Sequence, residues 1–394
     1  MNYRIKKEYV ILIGLLCLGV ILRYVVMTLG HNFDFESYCI VGEISGDLRN
    51  VYAETARYNY APIFLMIQGG LYRISQIKPD DWMLIYRVLI VGVLTIADLG
   101  IAAFIARRYS YIKALIFFLN PISIIITGYH NQFDNIAVLF ALLSTVYFNE
   151  EKEFNKKDIG FVLFFSLSLI TKHILFLLPI FILLKRGLSI KKKMLYAFVP
   201  PAIFLLSFLP FALSSNEAAT GILNNVFLYR SFNNAPLLEI LYKLINFPVG
   251  PRIIVYGIMM VILAWIIRKY QFDHIMLIYL IAMVSFSSAI ANQYLAIPMV
   301  ALCILNVGIW DKIYMAVVGV FLVLHSDGFN LLGYIQANSP GSIFDVLGSL
   351  YVRGGYILAA WILFFALVHL IRVKHKGQDM ISYGKLPLAL DKSG

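Results

Sequence analysis

The residues best suited to chemistry in this 394-residue chain lie in short polar stretches between long apolar runs. In the first stretch, Asp34 and Glu36 follow an apolar run that contains Arg23, and Arg57 lies further along. Guanidinium groups beside carboxylates can keep a reactive carboxylate ionised and can bind phosphate oxygens. The alternative is a solvated surface loop with ordinary acidic residues.

A second polar stretch, Gly128 to Asn135, lies between two apolar segments and contains His130, Gln132 and Asp134. So many polar groups at membrane depth are unfavourable unless they line a wet cavity. His130 and Asp134 are four residues apart, so on one helix they would share a face and could contact one ligand or cation. A hairpin loop that is simply polar is the alternative.

Further polar groups are isolated among apolar residues. Lys172 and His173 lie amid Ile, Leu and Phe, where an ammonium group is unfavourable unless it is paired, wet or extended to the membrane interface. Arg230, Gln293 and Tyr294 complete the set, although Arg and Tyr also serve as plain interfacial anchors.

The elements that must position these residues are membrane helices. The chain is 60% hydrophobic and 14% charged, which excludes a water-soluble domain. At roughly 20 apolar residues per span, the length predicts an all-α integral membrane protein with about 11–13 transmembrane helices. The net charge of +11 comes from basic clusters between apolar runs, as in membrane topology signals, so nucleic acid is excluded as a partner. The three scattered cysteines indicate no disulfide framework.

The positive-inside tendency predicts cytoplasmic termini and a plasma-membrane location, with both acidic loops outside. It makes 61–77 an outer-surface or re-entrant segment, because a span there would place Arg107 and Arg108 outside. It makes 159–184 a tight helical hairpin with Lys172 and His173 at its outer tip, because basic residues flank both ends. The predicted spans outside these two segments include 9–29, 82–106, 111–127, 194–213, 252–268, 275–291, 294–309, 313–325 and 354–372.

Four segments, taken in order, resemble the GT-C superfamily of polyprenyl-phosphate-sugar-dependent glycosyltransferases: Asp34–Glu36, Tyr52–Pro62, Asn120–Pro121 with Gly128–Asn135, and Asn292–Tyr294 with Pro298. The Tyr52–Pro62 segment is similar to the one that follows the first acidic motif in glycosylphosphatidylinositol mannosyltransferase I. The resemblance implies the GT-C fold. No linker, internal repeat or low-complexity stretch divides the chain, which predicts a single polytopic membrane domain over 1–394. The resemblance makes 1–190 its core module and 191–394 its more variable helices.

The resemblance implies inverting transfer of a hexose, such as mannose or glucose, from a polyprenyl-phosphate donor to a lipid-linked or glycan acceptor on the non-cytoplasmic face. It makes Asp34 the general base that deprotonates the acceptor hydroxyl, with Glu36 as the second acidic residue of the motif. Asp134 would bind the sugar or, in metal-using relatives, a cation.

The other residues expected to contact the substrate fall into a neutral group and a cationic group. Tyr60, Gln132, Gln293 and Tyr294 would bind sugar hydroxyls, and His130 would lie in the same polar loop. The groups expected around the departing lipid phosphate are Arg23, Arg57, Lys172, His173 and Arg230.

No cofactor is expected to be required. Asp134 is followed by Asn135 and Ile136 rather than by the spaced acidic pair of metal-using relatives, although Mg²⁺ or Mn²⁺ on Asp34 and Asp134 stays open. Two other classes stay open as well: a transporter or flippase of polyprenyl-linked glycans, and a non-catalytic subunit of an export assembly. Membrane lipids are partners in every case.

Overall fold

In the computed structural model of the chain, residues 7–229, 235–326, 343–375 and 380 are described, and the elements in these ranges are all helices. The predicted all-α class is therefore confirmed. The α-helices are α1 (Lys7–Thr28), α2 (Phe33–Gly46), α3 (Val51–Glu54), α4 (Pro62–Ser75), α5 (Trp82–Arg108), α6 (Tyr111–Phe118), α7 (Pro121–Gly128), α8 (Asp134–Tyr147), α9 (Lys156–Thr171), α10 (Leu178–Leu184), α11 (Ile190–Leu206), α12 (Leu209–Ala212), α13 (Asn216–Ile222), α14 (Glu239–Leu244), α15 (Arg252–Ile267), α16 (Phe272–Ser285), α17 (Met299–Ile304), α18 (Trp310–His325) and α19 (Ile343–His375).

Four helical segments in the described ranges are long and apolar enough to cross a membrane, or six if each of two bent helix pairs forms one span. The four are Val10–Thr28, Pro79–Arg108, Ile190–Ala212 and Gly354–Lys374. This count is lower than the eleven to thirteen expected, because several apolar runs form helices of only 10–17 residues. The shorter apolar helices are Asp134–Tyr147, Arg252–Ile267, Phe272–Ser285 and Asn292–Ile304.

The run 111–127, predicted as one helix, is two helices bent by 49°. The break lies at Asn120 and Pro121. Proline has no N–H for the preceding turn but fits the first turn of a new helix. The Asn120 side chain caps that new helix by accepting a hydrogen bond from the Ile122 N–H at 2.9 Å.

The segment from α9 to α10 bends by 112° around a short 3₁₀ turn at His173–Leu175. Ion pairs tie the chain on either side of this segment together: Lys185 lies 3.0 Å from Glu150, and Lys192 lies 2.8 Å from Asp158. Both ends of the segment therefore lie at the same end of the helix bundle, as the predicted hairpin requires, and Lys172 lies at the bend.

The segment predicted to lie at the outer surface, 61–77, contains the 14-residue helix α4, which packs against α2 and is not among the membrane-spanning candidates. A second close contact joins α1 to α7. A Cβ at Gly128 would overlap the carbonyl oxygen of Arg23, so only glycine permits this approach. The first contact fixes the helix that carries the first polar stretch, and the second fixes the start of the second polar stretch against α1.

Candidate functional site

Asp34 lies in the first turn of α2, where the helix dipole favours a carboxylate. It is half-buried, and two side chains donate hydrogen bonds to its Oδ2: Asn32 Nδ2 at 2.9 Å and Gln132 Nε2 at 2.6 Å. Within the described part of the chain, Oδ1 of Asp34 makes no hydrogen bond. One carboxylate oxygen is thus fixed, and the other is available to accept a proton.

Glu36 does not share this environment. Residues 33–46 form a helix rather than a loop, and two residues along a helix turn the side chain by about 200° around the axis. Glu36 is exposed, whereas Asp34 is half-buried. The structure therefore does not bring the two carboxylates of the first motif together.

Gln132 connects the two polar stretches. Its side chain is buried, its Nε2 donates to Asp34 and also to the His130 carbonyl at 3.2 Å, and its Oε1 accepts from the Tyr38 hydroxyl at 3.4 Å. Asn131 precedes it in the left-handed region at φ 55°, a conformation that asparagine tolerates better than most residues. The two acidic stretches therefore meet, as expected for loops on one face.

Asp134 begins α8 and forms an ion pair with Lys172, with Lys172 Nζ 2.6 Å from Asp134 Oδ2. Both side chains are 3% exposed, so Lys172 does not extend to the interface. The Lys172 ammonium also lies 4.8 Å from the ring centre of Tyr60 and 4.7 Å from that of Phe133, within the range of cation–π contacts. Asp134 Oδ1 is buried without a partner among the described residues.

His130 lies before α8 begins, so the expectation that His130 and Asp134 share one helical face is wrong. The left-handed backbone of Asn131 separates them. His130 is buried, its Nε2 lies 3.1 Å from the Ser326 hydroxyl, and its Nδ1 has no partner among the described residues. Burial and the nearby His325 lower the pKa of His130 to about 3, so this imidazole is neutral at physiological pH.

Arg23 was expected near the lipid phosphate, and the structure contradicts this. It is fully buried, and its Nε donates to Asp98 at 3.0 Å. Nη1 donates to the Gly19 and Phe118 carbonyl oxygens, and Nη2 donates to the Ser123 hydroxyl and lies 2.9 Å from Asp98 Oδ2 in an ion pair. Four of the five guanidinium N–H groups thus make hydrogen bonds within the protein and the charge is already paired with a buried carboxylate, so Arg23 holds helices together rather than a phosphate.

Asp98 is a residue that the sequence analysis missed. Its Oδ2 accepts from Arg23 and from the Thr127 hydroxyl at 2.7 Å, and its Oδ1 accepts from Asn135 Nδ2 at 2.9 Å. These bonds join α5 to α1, α7 and α8 directly beneath the second polar stretch. A lone aspartate inside an apolar run was the available signal, because ionisable groups at membrane depth need a partner.

Arg87 is a second such residue, and it too is an ionisable group within a mostly apolar run. It lies in α5, its Nε donates to Asn131 Oδ1 at 3.2 Å, and it also donates to the Gly30 carbonyl. Its guanidinium lies 5.3 Å from the ring centre of Phe35, the residue after Asp34. Arg87 therefore contacts both polar stretches and links them to α5.

The group formed by Asp34, Gln132, Asp134 and Lys172 is the Asp34 centre of the candidate site. The remaining predicted residues lie around it at different distances. Arg57 is exposed, lies 4.1 Å above the Phe33 ring and donates to the Ser37 hydroxyl at 3.4 Å. The Tyr60 ring packs edge-on against Phe133 at 4.9 Å between ring centres. The exposed His173 has its ring centre 6.4 Å from that of Tyr60.

Gln293 and Tyr294 are half-buried in the short 3₁₀ helix Asn292–Ala296, which packs against α7 and α8. They approach the centre from the C-terminal half of the chain. Arg230 lies outside the described residues.

The alternative metal site fits the structure poorly. Asp134 offers one unpartnered oxygen, but its charge is already matched by Lys172, whose ammonium would repel a divalent cation beside it. The described residues contain no group of three or more His, Cys, Asp or Glu side chains that could hold a metal ion.

No family model matches the chain, and no curated protein matches it. Among solved structures, the chain is similar to the crystal structure of ArnT from Cupriavidus metallidurans bound to undecaprenyl phosphate. The sequence identity is 12% and the TM-score is 0.49, over 94% of this chain and 79% of that one.

Proposed function

We propose that the chain is a membrane glycosyltransferase of the GT-C type, which transfers a hexose from a polyprenyl-phosphate donor to a lipid-linked or glycan acceptor on the non-cytoplasmic face. The observation that carries the proposal is the carboxylate of Asp34, fixed through Oδ2 by Gln132 and Asn32 and open at Oδ1. The order of the acidic stretches along the sequence, which resembles that superfamily, supports the same conclusion.

Asp34 would act as the general base. Its Oδ1 takes the proton of the acceptor hydroxyl while the hydroxyl oxygen forms a bond to the anomeric carbon, and the bond from that carbon to the lipid phosphate breaks. Attack opposite the leaving group inverts the configuration at the anomeric carbon. A base in this role must lie within hydrogen-bond reach of the proton, and a carboxylate held on one oxygen presents the other in a fixed direction.

Lys172 would stabilise the departing phosphate. An ammonium group has three N–H donors, and one of them is used by Asp134. The ammonium group also lies beside the ring faces of Tyr60 and Phe133. A phosphate oxygen could accept hydrogen bonds from the N–H groups that do not bond to Asp134. A positive charge already fixed in a water-poor site stabilises developing negative charge more strongly than one in water. The exposed Arg57 would add a second cation at the outer edge.

The decisive experiment uses the full chain in lipid nanodiscs with polyprenyl-phosphate mannose and polyprenyl-phosphate glucose, each labelled in the sugar. Membrane glycolipids and free glycans serve as acceptors. We expect one donor to be converted into polyprenyl phosphate with the label in an acceptor. Movement of intact donor across vesicle membranes without bond cleavage would favour the flippase instead, and an absence of both cleavage and movement would overturn the proposal.

A further inference from the structure

A polar groove separate from the Asp34 centre opens between α3, with the residues that follow it, and α13. Its volume is about 460 Å³, which lies within the range of small-molecule binding sites. Its carboxylate, hydroxyl and amide side chains belong to Glu54, Thr55, Asn216, Glu217, Thr220, Asn224 and Asn225.

The two walls of the groove are held at a fixed separation. A Cβ at Gly221 in α13 would overlap the carbonyl oxygen of Tyr52 in α3, so the two backbones are in direct contact. Asn50, which caps α3, donates from its Nδ2 to the Ser214 hydroxyl at 2.6 Å and to the Phe211 carbonyl at 3.0 Å. The groove is therefore preformed, which lowers the ordering entropy that a ligand must overcome.

One edge of the groove has an unusual backbone. Helix α13 continues into a π-helical turn at Leu223–Phe227, and this turn presents Asn224 and Asn225 to the groove. Isolated π-helical turns are rare and occur frequently at functional sites, because they redirect side chains that an α-helix would place elsewhere.

The lining indicates the chemical class of the ligand. Carboxylates accept hydrogen bonds, amides both donate and accept, and a threonine hydroxyl does either, so the set matches a ligand rich in hydroxyl groups. No Lys or Arg is among the described residues that line the groove, and Glu54 is paired outside it with Arg49. An anionic headgroup or phosphate is therefore disfavoured.

Both walls lead towards the Asp34 centre. Ala56 in the groove is followed by Arg57, which lies over Phe33 and bonds to Ser37 on either side of Asp34 in α2. On the other wall, the chain after Asn225 reaches Tyr229. Burial raises the pKa of Tyr60 well above its usual value, and Asp34, Asp134 and Tyr229 add to this electrostatically, so Tyr229 lies near Tyr60.

We propose that this groove binds a neutral hexose unit of the acceptor glycan, next to the sugar whose hydroxyl faces Asp34. The proposal rests on the glycosyltransferase function for the identity of the ligand as an acceptor. A divalent cation held by Glu54 and Glu217 is the competing occupant.

The test measures binding of methyl glycosides of mannose, glucose and galactose to the full chain in nanodiscs by saturation-transfer NMR. We expect saturable binding of at least one glycoside, weakened at least tenfold in Glu217→Gln and in Asn225→Ala. Glu153→Gln is the matched control because Glu153 is also an exposed glutamate and lies outside the groove. Thermal melting should give the same midpoint for all three variants.

Three results would overturn the groove proposal: no glycoside binds the unsubstituted protein, binding is the same in both groove variants, or Ca²⁺ binds through Glu217 while the glycosides do not. Asp34→Asn should leave glycoside binding unchanged. If glycosides bind as expected but no donor is cleaved, the glycosyltransferase proposal fails and the saccharide site stands. If the donor is cleaved and both groove variants keep the acceptor KM of the unsubstituted protein, the groove proposal fails alone.

Discussion

Gln132 and Asp34, which lie 98 residues apart in the chain, are joined by a hydrogen bond of 2.6 Å from the Gln132 amide nitrogen to the Asp34 carboxylate. The amide oxygen of Gln132 is bonded in turn to Tyr38, one turn further along the helix that carries Asp34. Gln132 thus contacts the helix at two points, and the orientation of the proposed base depends on the second polar stretch as much as on its own.

Asp34→Asn tests the base directly. Asparagine keeps the shape of the side chain but cannot take up a proton, so we expect release of polyprenyl phosphate to fall at least roughly 100-fold, as is typical when a general base is lost. The melting midpoint should change little. Asp80→Asn is the control, because Asp80 is an exposed aspartate in a surface turn. Activity of Asp34→Asn within twofold of the unsubstituted protein would contradict the assignment.

Gln132→Leu tests positioning. Losing one hydrogen bond to a carboxylate corresponds to about 1.5–3 kcal/mol, so we expect kcat to fall roughly 10- to 100-fold. The KM for the donor should stay within about threefold, because Gln132 acts through Asp34. Gln271→Leu, at an exposed glutamine without a side-chain cap bond, serves as the control. A raised KM with unchanged kcat would mean instead that Gln132 contacts the sugar.

Lys172→Met leaves the Asp134 carboxylate buried without its partner, and we expect a loss of about 3–5 kcal/mol in the free energy of unfolding. The double variant Lys172→Met with Asp134→Asn should recover most of this loss, because no uncompensated charge remains. Unfolding in a graded detergent titration measures both.

The exposed pair Lys78 and Asp81 provides the contrast, since Lys78→Met should change stability by less than about 1 kcal/mol. Equal losses at the two sites, or a double variant no more stable than Lys172→Met, would contradict the buried-pair account.

Arg23→Lys separates a structural role from phosphate binding. A lysine retains the charge but cannot supply five N–H donors in a planar array. We expect a lower melting midpoint together with an unchanged donor KM in the folded fraction. Arg57→Lys, at an exposed position beside Asp34, should show the reverse pattern. A raised donor KM in Arg23→Lys with unchanged stability would restore Arg23 to the phosphate site.

Because His130 is buried in its neutral form, we expect the free energy of unfolding to depend on pH. Its folded-state pKa of about 3 lies below that of an unfolded histidine, so the unfolded state binds more protons as pH falls below about 6.5. Stability linked to His130 is therefore present above this pH and is lost progressively towards pH 3. In detergent unfolding between pH 7 and 4, His130→Gln should lose less stability than the unsubstituted protein. Parallel curves would contradict the prediction.

Much of the arrangement follows from the sequence by simple physical rules. Apolar content predicts the membrane class, basic flanks predict the bend at Lys172, and proline after asparagine explains the break between α6 and α7. The meeting of the two acidic stretches follows from placing both on one face. The pairing of particular side chains is harder to predict from the sequence. Arg23 and Asp98, for example, are 75 residues apart, and each resembles an isolated charge.

Two errors had local causes. Treating the first acidic stretch as an outer loop hid the helical period that separates Glu36 from Asp34, since α2 begins immediately after Asn32. Among the described residues, apolar length predicts more spans than there are long apolar helices, because runs such as Phe272–Ser285 form short helices whose side chains are mostly buried in the core. Length alone does not distinguish a buried helix from a lipid-facing one.

The sharp bend between α9 and α10 determines the orientation of everything that follows it. A segment that enters and leaves at one end of the bundle returns the chain to that end, so the chain after Lys185 resumes beside the point from which Lys156 departed. Straightening 156–184 into one rod would reverse the direction of every later helix along the bundle. The few residues at Lys172 thus decide at which end of the bundle Gln293 and Tyr294 lie, and with it whether the two halves of the chain meet around one centre.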